Sequence, residues 1–176
     1  IKFNINDDWV FKNEPDQLIL TKDKDIMTII MDELLLDDLE NGLTPEQYLK
    51  EGIKKTSFLT TNKLLSSENF SFNNLSGHTY LYHSESIASS SYSRFTVIFD
   101  TNNSETKPKV WIIRSNLSDL TNDEKSKDMI KTFSKMTESE VKNSKGLRIK
   151  VIRVREGMTY QGLAKSSPLG KYSIDK

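Results

Sequence analysis

His78 and His83 are the only imidazoles in the chain, and any search for chemistry begins with them. Imidazole is the side chain best suited to move protons or hold a metal near neutral pH. The pair stands five residues apart in "HTYLYH", a stretch of strand character. Strand side chains alternate between faces, so an odd spacing sends the two rings to opposite sides of a sheet. They are poorly placed to share a metal, and no His-Glu-x-x-His pair is present to bind zinc on a helix. A structural or surface role is expected for both. In "HSESIASSSYS", from His83 to Ser93, serines lie beside a histidine and a glutamate. A hydrolase nucleophile needs a fixed turn such as G-x-S-x-G, which is missing here, so this run reads as a loop between two strands.

The carboxylates Asp32, Glu33, Asp37, Asp38 and Glu40 form an acidic segment. Paired carboxylates can run acid–base chemistry or hold calcium. The spacing of a calcium loop with its central glycine is not there, and a solvated acidic surface is expected instead. Seven scattered glycines make no phosphate-cradling loop. The lack of cysteine removes disulfides, thiol nucleophiles and zinc–thiolate sites together. No catalytic residue, metal or cofactor is expected for this chain.

Charge narrows the partners. The 25 basic and 25 acidic residues cancel, so no overall basic field recruits a phosphate backbone and nucleic acid is not an expected partner. Hydrophobic residues at 35% and a mean hydropathy of -0.56 fit one modest core. The longest apolar-rich stretch, Ile26 to Leu36, is broken by Asp32 and Glu33 and is too short for a membrane span. The chain opens on isoleucine with no signal-peptide pattern before it, which reads as a trimmed fragment.

The elements that would position these residues follow from periodicity. "IKFNI", "WVF", "QLILT" and "DIMTIIMDELL" alternate as strands near the start. Thr44-Pro45-Glu46-Gln47 forms a capping-box start for a helix over about residues 45 to 55. The chain is then β-rich from Phe58 to Leu117. "SRFTVIFD" and "PKVWIIRSNL" flank the polar loop "TNNSETK" as a hairpin, and both carry apolar residues on two faces, the mark of central strands. Thr121 with Glu124 repeats the capping pattern before a helix at about 122 to 136, and Thr137 with Glu140 predicts a further turn. These elements predict an α+β sandwich domain over residues 1–140, an antiparallel β-sheet with packed helices. A linker and a short strand-turn-helix occupy 141–176.

That closing segment, "RIKVIRVREGMTYQGLAK", has a strand, a Glu-Gly turn at Gly157, a threonine cap at Thr159, and Leu163 with Ala164 on a buried helix side. It has a LysM-like outline. It also resembles "R-x-x-V-x-x-G-D-T-x-x-S-L-A", which closes certain bacterial periplasmic zinc metalloproteases of the Oma type, with Met158 standing where the family has aspartate. "IKFNINDDWVFKNEPDQLIL" looks like that family's "F-x-x-P-x-G-W-x-x-x-N" opening, and "GLTPEQYLKEGI" like its "T-P-E-E" helix. The core is similar to the PsbP, Mog and DcrB-like sandwich. The resemblance covers the family's C-terminal accessory region and excludes its HExxH domain, so no catalytic residue carries over.

What the resemblance implies is a non-catalytic accessory or interaction domain of a periplasmic zinc metalloprotease, positioned in the periplasm or cell envelope. Its expected partner is a protein or the parent protease domain. The alternative is a peptidoglycan-binding module using the LysM-like tail, with Gly157, Thr159 and Tyr160 as the positions of glycan or partner contact. The residues after Gly146 are fewer than a full module of that kind takes, so the tail is expected to be incomplete and to dock on the domain. A small serine hydrolase is a third and weaker reading.

Overall fold

Seven strands, each antiparallel to its neighbours, form one sheet in the computed structural model, which describes residues 1–55, 62–85, 90–101, 107–144 and 159. In chain order they are β1 (Val10–Asn13), β2 (Leu18–Lys22), β3 (Asp25–Glu33), β4 (Lys63–Phe72), β5 (Leu75–Glu85), β6 (Ser90–Asp100) and β7 (Lys109–Leu117). The helices are α1 (Leu36–Glu40), α2 (Pro45–Lys54), α3 (Leu120–Lys131) and α4 (Glu138–Asn143). The sheet order is β1-β2-β3-β7-β6-β5-β4, so two meanders meet where β3 pairs with β7. The backbone separates into two compact units, Ile1–Lys135 and Met136–Lys176.

Local chemistry explains most element boundaries. Asp23 at φ 52 makes the tight turn between β2 and β3, and Asn73 and Asn74 at φ 51 and 60 turn β4 into β5. Short polar side chains tolerate this left-handed backbone better than most. α2 starts on a complete capping box, with Thr44 and Gln47 each bonding the other's backbone. α3 starts earlier than its sequence pattern predicts: the cap is Asp119, whose carboxylate accepts from the Asn122 N–H at 2.8 Å, and not Thr121. "IKFNI" is not a ladder strand. Only Lys2 bridges to Ser134, while Ile1, Phe3 and Ile5 pack against the core.

Two apolar cores lie on opposite sides of the sheet. On one face Leu20, Met27, Ile29, Ile98 and Ile113 meet Met129, Ile130 and Phe133. On the other, Tyr80, Tyr82, Val97, Phe99 and Val110 meet Leu49 and Ile53 of α2. β6 and β7 are central, as their two-sided apolarity requires.

The expected α+β sandwich, a PsbP/Mog/DcrB-like sheet backed by packed helices, is not what the described residues build. The fold is sheet-dominated, with four short helices of five, 10, 12 and six residues. α2 packs on β5 and β6, and α3 on β7 and β6, so the helices cover the middle of the sheet without forming a layer over it. Amphipathic periodicity announced helices that are real but short, and strands of nine to 11 residues dominate instead. In the second unit, α4 carries the predicted Thr137–Glu140 capping box. The strand-turn-helix expected after Gly146 falls outside the described residues, apart from Thr159.

Candidate functional site

β5 carries His78 on the α2 side of the sheet, directly opposite Asn69 of β4 and diagonal to Ser67. Its Nδ1 lies 2.7 Å from Asn69 Oδ1, and its Nε2 lies 3.1 Å from Ser67 Oγ. The amide oxygen is an acceptor, so Nδ1 carries the proton and Nε2 accepts from the serine hydroxyl. His78 is only 2% exposed, and burial lowers its pKa from the ordinary value, which keeps the ring neutral at pH 7. The nearby Glu46 charge pulls the other way and is the smaller effect. A cleft of about 320 Å³ opens beside Ser67, lined also by Tyr80, Tyr82, Lys50 and Lys54.

Serine, neutral imidazole and amide thus stand in the order of nucleophile, base and orienting group. The backbone around them argues for a different role. Ser67 sits inside a ladder, paired with Tyr80, and not on a turn that exposes a hydroxyl beneath converging N–H groups. Acyl transfer needs such donors at the developing oxyanion, where they supply much of the rate enhancement. What the geometry provides is a satisfied buried histidine tying β4, an edge strand, to β5.

The other predicted residues scatter. His83 lies on the opposite face from His78, as the odd spacing requires, stacked on Tyr92 with Nε2 2.7 Å from Ser90 Oγ. Of the serine-rich run, Ser90 to Ser93 belong to β6 and not to a loop, and Ser93 donates to Asn116. In the acidic segment, Asp37 and Asp38 occupy the first turn of α1, where a helix N-terminus favours negative charge, and Glu33 pairs with Lys107 at 2.8 Å. No group of three histidines and carboxylates among the described residues is placed to hold a metal. Thr159 is exposed, and Gly157 and Tyr160 fall outside the described residues.

Two features were not read from the sequence. Arg94 and Asp123, each 2% exposed, form a bidentate ion pair between β6 and α3, at 2.6 and 2.7 Å, and Arg94 also donates to Thr79. The second feature is bare sheet. Val10, Ile26 and Ile30, on the α2 side but beyond the reach of α2, are 55%, 42% and 40% exposed. Register aligns Val10 with Thr21 and Thr21 with Ile26, so on this face an exposed threonine of β2 stands between the apolar residues of β1 and β3. The alternating "IMTII" pattern was the one available signal, and it shows a strand without showing which face stays uncovered.

No protein-family model matches the chain, and no curated protein matches it in sequence. Among solved structures it is similar to the crystal structure of LpqN, described as involved in cell envelope biogenesis of Mycobacterium tuberculosis. The TM-score is 0.49 at 9% identity, over 74% of this chain and 76% of that one. The envelope role in that description belongs to LpqN.

Proposed function

We propose that this chain is a non-catalytic interaction domain that binds protein through the flank of the sheet formed by β1, β2 and β3. The observation that carries the reading is the exposed row of Val10, Ile26 and Ile30, with Phe11 and Met31 exposed on the reverse face. Exposed apolar side chains gathered on one flank of a sheet are the kind of surface that partner proteins cover. The strand setting of Ser67 supports the non-catalytic part. The resemblance of the sequence to the accessory region of Oma-type zinc metalloproteases gives the finer reading. The domain then works in the cell envelope beside a zinc metallopeptidase, positioning its substrate or holding the peptidase itself.

Two measurements test this. The full chain is titrated against a catalytic HExxH segment encoded in the same open reading frame, and the double variant Ile26→Glu/Ile30→Glu is expected to lose the binding while keeping its melting temperature. The chain is also treated with a fluorophosphonate probe, which is expected to leave Ser67 unlabelled. Binding untouched by the double variant would move the surface elsewhere, and stoichiometric labelling of Ser67 would make the chain a hydrolase.

A further inference from the structure

β3 outruns β2. Its partners on β7 extend from Ile26 to Glu33, whereas its pairing with β2 stops at Ile29. Over residues 30–33 β3 therefore has one paired edge and, among the described residues, no strand on the other, where the Glu33 N–H is taken by Asp32 Oδ1 at 2.8 Å and the Met31 main chain faces outward. The hairpin turn from Glu14 to Gln17, closed by the Glu14 N–H to Gln17 carbonyl bond, stands across the gap. Between them lies a groove of about 570 Å³, inside the range of sites that hold sizeable ligands.

The groove has an apolar floor and an acidic rim. Phe3 stacks on Phe133 with ring centroids 4.7 Å apart, and Trp111 meets Phe133 edge to face at 6.3 Å. Leu18 and Ile29 complete the floor, while Asp16 and Asp32 line its margin. Asp32 alternates with Met31, so along β3 the apolar residue faces the Trp111 side and the carboxylate the other. The indole nitrogen of Trp111 is buried without a hydrogen-bond partner.

We propose that this notch docks an extended peptide of a partner protein in which apolar and basic residues alternate. This rests on the reading of the chain as an interaction domain and adds a second contact, separate from the Ile26 face, with the chemistry of its occupant. The peptide adds a strand at the open edge of residues 30–33 through main-chain hydrogen bonds. Its apolar side chains enter the groove over Trp111 and Phe133. Alternation sends its basic side chains to the other face, where Asp32 meets them, and Asp16 flanks the entrance.

The probe is an acetylated, amidated nonapeptide alternating leucine and lysine, titrated into the full chain and read by tryptophan fluorescence and calorimetry. Saturable one-to-one binding is expected. A peptide N-methylated at alternate residues keeps every side chain and charge but loses main-chain donors, and is expected to bind at least tenfold more weakly. The exposed-site double variant Asp16→Asn/Asp32→Asn is expected to weaken binding and flatten its salt dependence, and Ile26→Glu on the opposite face to change nothing. Equal affinity for the N-methylated peptide, or no effect of the Asp16/Asp32 variant, overturns the notch. Loss of peptide binding with Ile26→Glu alone would do the same while leaving the broader interaction reading standing.

Discussion

At the residue scale the largest single commitment is the Arg94–Asp123 pair. Both side chains give up water on folding, and the bidentate contact with the added bond to Thr79 offsets that cost. Removing one partner leaves the other charge buried alone. Asp123→Ala is therefore expected to lower stability by about 3–5 kcal/mol in denaturant unfolding. Arg94→Met/Asp123→Leu, which buries no charge, should recover most of that loss, and a single-variant cost below about 1 kcal/mol would show that water reaches the pair. His78 gives a prediction in pH. Its folded pKa is lowered by burial, so as pH falls the unfolded chain takes up the proton first. The contribution of His78 to stability is whole above the ordinary value of 6.5 and drains away as pH drops from there toward the lowered folded value. Denaturant midpoints between pH 7.5 and 5.5 should fall for the natural chain and stay flatter for His78→Gln. Asp8 and Glu51, whose pKa values are held down by Lys22 and Lys54, lose their contributions only in the carboxylate range below that window.

The elements show which features a linear sequence carries. Capping boxes, Asn and Asp turns and two-sided apolar strands are local, and α2, α4 and the β6–β7 hairpin were legible from them. Asp25, which accepts from the Ser118 N–H at 2.7 Å, joins β3 to the approach to α3 across a long separation, and Ser115 meets Ser126 in the middle of α3 at 2.9 Å. Ser67, Asn69 and His78 come together through the unshifted β4–β5 register that the Asn73–Asn74 turn sets, and alternation within one strand does not give its cross-strand partners. Sheet dominance was missed for the same reason, because strand order is a long-range property. Two glycines separate these scales. Gly77 lies under Phe70, and a Cβ there would sit 2.3 Å from both the Phe70 ring and the Val97 carbonyl. Gly52 lies inside α2 with nothing within 4 Å of such a Cβ. Gly77→Ala is expected to destabilise by more than about 2 kcal/mol, because a backbone carbonyl cannot swing aside as a side chain can. Gly52→Ala should stabilise by about 0.5–1 kcal/mol through helix propensity. Thermal melts of the two variants should move in opposite directions, and a common sign would contradict the packing described for β4 and β5.

For the whole molecule, a neutral total conceals a division. Of the 25 basic and 25 acidic side chains, eight basic and only two acidic ones lie in residues 145–176. The remaining 144 residues are left with 17 basic and 23 acidic. The balance that counted against an anionic partner therefore holds for the sum and not for each part, since a field follows local charge. Within 145–155 alone five basic residues alternate with leucine, isoleucine and valine, with no acidic residue among them. This bears on the wall-binding alternative, because a basic segment and a glycan-reading module both sediment with cell walls, for different reasons. Charge attraction is screened within about 10 Å at 0.1 M salt and about 3 Å at 1 M, whereas sugar contacts made by hydrogen bonds and apolar packing survive that change. The full chain is expected to sediment with purified walls bearing anionic polymers at low salt and to be released at 1 M sodium chloride. A chain ending at Ser144 should stay in the supernatant throughout. Retention at 1 M salt, lost on changing Gly157 and Tyr160 but not on reversing Arg148 and Arg153, would instead establish glycan recognition by the tail.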